Sequence, residues 1–115
     1  MKNKMSESRI SVFQKRIGQH YYNEPVFQVP NDQIEYFGAD KSTIKAVLMP
    51  EKHELEITMY RGQAVGGGVR VFFNGENSEK YLDWLHQHLD QGEYLRVDIM
   101  AENDIVLHPI GALVN

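Results

Sequence analysis

The chain predicts an α+β, mostly β fold, a small barrel of about seven short strands with two short helices. Three observations predict it. Most apolar residues fall in short segments that alternate apolar and polar side chains, the period of a half-buried strand. One stretch after Ser78 instead carries Leu82, Leu85 and Leu89 at i, i+3 and i+7, joined by Tyr81 and Trp84 on a broadened apolar face. The chain also repeats a rough grammar without repeating its sequence: a strand, a turn, a helix and a hairpin follow one another twice. That order suits a closed or partly closed barrel with a helix over each end, which hides sheet edges.

The 115 residues fit one domain with one modest core. Residues 1–8 read as a flexible polar tail and residues 9–115 as the domain. A hydrophobic content of 42% is ordinary globular composition. Sixteen acidic against twelve basic residues give a formal charge of -4, so any polyanion site has to be a local patch. The absence of cysteine excludes disulfides, thiolate nucleophiles and cysteine-ligated metals, and suits a reducing cytoplasm. The N-terminus lacks an apolar signal core, and no apolar run approaches the roughly 18 to 20 residues of a membrane span. A cytoplasmic protein with no membrane partner is expected.

In chain order, Ile10, Val12, Phe13 and Ile17 fit a strand or a helical face, and the strand is favoured. His20 to Asn23 makes a polar, aromatic turn. Val26 to Val29 is a strand stopped by Pro30. Asn31 or Asp32 caps a short helix in which Ile34 and Phe37 share a face, ended by Gly38. Thr43 to Met49 turns at Pro50 to His53 and returns as Glu54 to Met59, with Leu55, Ile57 and Met59 on one side. Val69, Val71 and Phe73 line one side of the next strand, and Asn74-Gly75 turns the chain. Ser78 caps the main helix, which runs to about Asp90 and ends at Gly92. Tyr94 to Met100 and Asp104 to Ile110 form a hairpin around Ala101-Glu102-Asn103.

The most informative stretch is YRGQAVGGGVRVFF, Tyr60 to Phe73. Gly62, Gly66, Gly67 and Gly68 form a loop between two strands, with Arg61 and Arg70 at its shoulders. Glycine removes side-chain bulk and arginine supplies a forked donor, so such a loop can approach a phosphate backbone. A flexible hairpin has the same composition.

Enzymatic and metal chemistry find little support, and no cofactor is expected. His86 and His88 lie roughly 200° apart around a helix, so both cannot face one ion. The GGG run lacks the Lys-Ser/Thr ending of a phosphate loop. No serine stands in a Gly-x-Ser-x-Gly elbow. Glu54 and Glu56 share a strand face, which solvent explains. Tyr81 and Trp84 serve a core better than a partner surface.

FQKRI (Phe13 to Ile17), VFQVPNDQIEYFG (Val26 to Gly38), ITMYRG (Ile57 to Gly62) and LDQGEYLRVDI (Leu89 to Ile99) carry a family likeness. Their order resembles the DNA-binding pseudobarrel of plant abscisic-acid and auxin-response transcription factors and of the effector-binding domain of EcoRII-type restriction endonucleases. The chain has Gly92-Glu93 where that family has Gly-Asp, and it is acidic where the family's binding face is basic. The resemblance implies a non-enzymatic domain that grips duplex DNA with two arms. One arm would comprise Lys15, Arg16, Gln19, His20, Tyr22 and Asn23, and the other Tyr60, Arg61, Gln63 and Arg70. These residue types suit phosphates, guanine and adenine. The rival expectation is a non-enzymatic protein-interaction module or a homodimeric assembly module; a dimer would show a large apolar patch.

Overall fold

All the predicted strands form, and they join one sheet. The computed structural model describes residues 8–62 and 68–112. Its strands are β1 (Ser11–Arg16), β2 (Val26–Val29), β3 (Thr43–Leu48), β4 (His53–Arg61), β5 (Val69–Phe72), β6 (Tyr94–Ala101) and β7 (Asp104–Gly111). They lie in the order β1-β6-β7-β3-β4-β5-β2, every pair antiparallel except β3 with β7. The two hairpins, β3/β4 and β6/β7, are thus joined by one parallel seam.

The sheet curls into a half-barrel whose end strands, β1 and β2, have no backbone pairing to each other. Side chains bridge that opening. The Phe13 and Phe27 rings sit 6.5 Å apart, and Ser11 Oγ bonds the Gln33 amide oxygen. Alternation decides what fills the interior: Ile44, Ala46 and Leu48 of β3, Leu55, Ile57 and Met59 of β4, and Val69, Val71 and Phe73 at β5 are all buried.

The helices depart from expectation in detail. The predicted turn after β1 is a short helix, α1 (Gln19–Asn23), with no buried residue of its own. It is held by tertiary contacts that local sequence does not reveal. Asn31–Tyr36 is a 3₁₀ helix whose N-cap is Pro30, without a side-chain cap from Asn31 or Asp32. The main helix, α2 (Glu76–His88), starts after Gly75, whose φ of 63° suits glycine. Ser78 is therefore inside the first turn, its N–H donating to Gly75 O at 3.1 Å, and is not the cap. Asn77 fixes the helix start instead, donating from Nδ2 to Glu56 O at 2.8 Å.

The aromatic face of α2 enters the core as expected. Tyr81 stacks on Phe73 with ring centroids 3.8 Å apart and planes 5° apart. Trp84 is buried and donates from Nε1 to Met49 O at 3.0 Å. The Tyr81 hydroxyl is buried without a hydrogen-bond partner among the described residues, and that burial raises its pKa.

Candidate nucleic-acid interface

The first predicted arm is α1 with the end of β1. Pro25 O accepts from Phe73 N at 2.9 Å, so the chain leaving α1 lies beside the end of β5. Tyr22 anchors the arm: its hydroxyl donates to Leu89 O at 3.0 Å, and its carbonyl lies 2.6 Å from His86 Nε2. A carbonyl only accepts, so Nε2 must carry the proton. The Tyr22 and His86 rings also pack at 4.4 Å. Gln19, His20 and Asn23 are exposed on this anchored helix. Asn23 Nδ2 donates back to Gln19 O at 2.9 Å.

The two cations of this arm have different environments. Lys15 lies over the Tyr21 ring, 4.9 Å from its centroid, and partial burial lowers its pKa. Arg16 is exposed and has no hydrogen-bond or ion-pair partner among the described residues. Its guanidinium crosses the backbone where β1 meets β6: a Cβ on Gly18 or Gly92 would approach Arg16 Nη1 or Nη2 to 3.3 Å. Gly92, at φ 95°, is favoured by its backbone shape, whereas the exposed Arg16 tip can shift to admit a Cβ.

The second predicted arm is the β4/β5 hairpin. Gln28, Arg70 and Tyr60 stand in one row across β2, β5 and β4. They face away from the core, because Val29, Val69, Val71 and Met59 around them are buried. Phe72 shares that outward face, and its ring meets Tyr60 edge-on at 5.2 Å and 81°. Tyr60, Arg70, Phe72 and Asn74 line a depression of about 490 Å³. Gln63 lies outside the described residues, as do Gly66 and Gly67.

Arg61 is committed to the fold. Its Nε donates to Gly38 O at 2.6 Å, and its Nη2 donates to Ile34 O at 2.8 Å and to Phe37 O. Its backbone N–H donates to Asp40 Oδ1 at 2.7 Å. At the end of the 3₁₀ helix the guanidinium thus serves the Phe37 and Gly38 carbonyls and adds a second donor to the Ile34 carbonyl, which already accepts from Phe37 N at 3.1 Å. It ties the base of the β4/β5 hairpin to the β2–β3 connection. A Cβ on Gly38 would come within 2.9 Å of the Asn103 and Glu102 side chains, so a larger residue there requires those side-chain ends to move.

The two arms leave the barrel at opposite ends of β2. α1 precedes Val26, and Val29 at the other end pairs with Val69, the first residue of β5. Acidic side chains stand near both arms: Glu54 and Glu56 share the outward face of β4 with Tyr60, and Glu24 shares a shallow depression with Gln19, His20 and Asn23.

Two features were missed in the sequence. Phe72 was legible, because alternation on β5 puts it beside Arg70 and opposite Val71. The cluster around Asp98 was not. Asp98 is buried on the outer face of β6, within 3.4 Å of Arg9 Nη1, 3.1 Å of Arg96 Nε and 3.1 Å of His108 Nε2. Burial and the neighbouring Arg96 charge lower the His108 pKa, against the opposing pull of Asp98. His88 Nε2 bonds Glu51 Oε2 at 2.8 Å. Desolvation raises the Glu51 pKa, but this hydrogen bond, a backbone hydrogen bond and the nearby His88 and His53 together hold it below its usual value. Among the described residues, no three His, Asp or Glu side chains gather as metal ligands, and no helix is long and apolar enough to cross a membrane.

The fold and this face define a class: a helix-capped, open seven-stranded half-barrel, α+β and mostly β. A solved structure of a hypothetical Arabidopsis thaliana protein is similar, with a TM-score of 0.62 and 16% identity, covering 91% of this chain and 94% of that one. At that identity the likeness shows the fold alone. No protein-family model matches the chain, and neither does any curated protein.

Proposed function

We propose that this chain is a non-enzymatic, cytoplasmic domain of the DNA-binding pseudobarrel kind that holds duplex DNA between its two arms. One observation carries the reading. Of the five arginines, Arg9 and Arg96 pair with Asp98 and Arg61 clamps backbone carbonyls. The two without a partner among the described residues, Arg16 and Arg70, belong one to each arm. An arginine left without an internal partner is the one able to neutralise a phosphate.

In this reading Arg16 and Arg70 contact phosphates, and Gln19, His20 and Asn23 on α1 meet base edges. Tyr22 and Arg61 position the two arms, and Lys15 braces Tyr21. Asp98 takes up Arg9 and Arg96 together and the net charge stays at -4, so the basic site rests on the local placement of Arg16 and Arg70. The homodimer reading has less to rest on. Ile10 is the one exposed large hydrophobic side chain among the described residues, whereas an assembly face needs a contiguous apolar patch.

The test is fluorescence anisotropy with mixed-sequence duplex DNA at two salt concentrations, comparing the native protein with Arg16→Ala/Arg70→Ala. Affinity should fall steeply with salt. The double variant should bind more weakly and lower the log–log salt slope by about 2, one phosphate contact per arginine at ~0.9 each. Absence of binding at low salt, or an unchanged slope in the variant, would remove the proposal.

A further inference from the structure

A sheet face turned to solvent normally carries polar side chains, so a phenylalanine there calls for an explanation. On β5 the buried residues are Val69, Val71 and Phe73, which turns Arg70 and Phe72 outward together. Cross-strand register then brings Tyr60 of β4 and Gln28 of β2 opposite Arg70. The result is two partly exposed rings in edge-on contact, an arginine with no acid partner among the described residues, and two side-chain amides, Gln28 and Asn74, at the margins.

We infer that this face holds an unstacked nucleobase, with Tyr60 and Phe72 as the stacking surface, Arg70 as the backbone cation, and Gln28 and Asn74 as partners for the base edge. The inference rests on the DNA reading for its partner class and adds that the bound DNA presents a base outside the double helix, at a single-stranded stretch or a mismatch.

The chemistry is specific to that occupant. Every base has a π face, so stacking on an aromatic side chain is sequence-tolerant, and an adjacent arginine adds both phosphate contact and cation–π attraction. An amide offers a donor and an acceptor, which match the mixed edges of a base. The depression, about 490 Å³, has room for a base. The two rings stand 81° apart, so the base stacks on the face of one ring and meets the edge of the other. A fully paired duplex cannot use it, because its base faces are covered by their neighbours. A hydrophobic protein segment would gain nothing from Arg70, whereas a nucleotide uses both the rings and the charge.

The experiment uses the whole chain and short oligonucleotides containing 2-aminopurine, whose emission is quenched by stacking. The oligonucleotides are presented single-stranded, in a mismatch and fully paired. The variants are Tyr60→Leu and Phe72→Leu, which keep apolar bulk and remove the π face, and Gln19→Ala/Asn23→Ala on the other arm. Circular dichroism melts confirm that each variant is folded.

Binding of the single strand with quenched emission is expected, with affinity falling about five- to hundredfold in either leucine variant. Leucine variants that bind every probe like the native protein would overturn the base platform. The duplex reading would then survive if the Gln19→Ala/Asn23→Ala variant still lost affinity for paired DNA. Binding of the single strand without binding of the paired duplex would keep the platform and remove the two-arm duplex reading. Failure of all three probes at low salt would remove both.

Discussion

Replacing Arg61 by alanine should cost this protein stability before it costs any ligand. The guanidinium makes three hydrogen bonds to the carbonyls of Ile34, Phe37 and Gly38, all part-buried. Hydrogen bonds from a charged donor are worth about 1.5 to 3 kcal/mol each. Their sum overstates the loss, because the released carbonyls lie near the surface and regain water. A net cost of about 2 to 4 kcal/mol is the reasonable expectation, a large share of the ~5 to 15 kcal/mol that holds a domain of this kind. Urea denaturation followed by Trp84 fluorescence measures it. With a slope near ~1.5 kcal/mol/M, the midpoint should fall by about 1.3 to 2.7 M. Arg61→Lys should recover part of the loss, since a single ammonium reaches fewer of the divergent carbonyls than a planar fork does. A midpoint shift worth under ~0.5 kcal/mol, the size of an ordinary surface change, would refute the clamp. The clamp also determines how DNA binding is tested, because an Arg61 variant that binds weakly has two explanations and an Arg70 variant has one.

Other outcomes follow from the same geometry. Asp98→Ala should destabilise by about 2 to 3 kcal/mol in denaturant melts. It leaves the half-buried Arg96 and His108 without their shared carboxylate, and the loss is moderated by the exposure of Arg9. Tyr81→Phe should leave the Phe73 stack intact and raise stability by about 1 kcal/mol, because it removes a buried hydroxyl that meets no protein partner among the described residues. A drop in melting temperature would show that the hydroxyl is satisfied.

The His108 pKa is lowered on folding, so the unfolded chain binds more protons there and stability rises with pH. The contribution is complete above the ordinary histidine pKa near 6.5 and is lost as pH falls through the folded value. Thermal melts across that window should show the decline, and His108→Gln should flatten it. An unchanged slope in the variant would assign the pH dependence elsewhere.

Local pattern was enough to place the strands, because burial of one sheet face imposes a period of two wherever a strand forms. Val69, Val71 and Phe73, or Leu55, Ile57 and Met59, reveal their inward side without any knowledge of neighbours. The apolar face of α2 was equally legible, and Tyr81 and Trp84 are buried as that face requires. Helix ends were read less well. Ser78 has the chemistry of a cap, yet Gly75 and the tie from Asn77 to Glu56, far away in sequence, set the start of α2. For α1 nothing local sufficed, since its anchors are His86 and Leu89 on another element.

Length and alternation by themselves determined that this is a small, β-rich domain, and the helical pattern after Gly75 marked its main helix, while α1 was read as a turn. Tertiary structure alone decided the parallel seam between β3 and β7 and the fate of each cation. Arg61 and Arg70 look equivalent beside a glycine loop, but one turns into the end of the 3₁₀ helix and the other turns outward on β5. Arg9 finds Asp98 across 89 residues of sequence. Periodicity is a property of each segment and its own backbone, whereas a side chain's partner depends on which distant segment the folded sheet brings beside it.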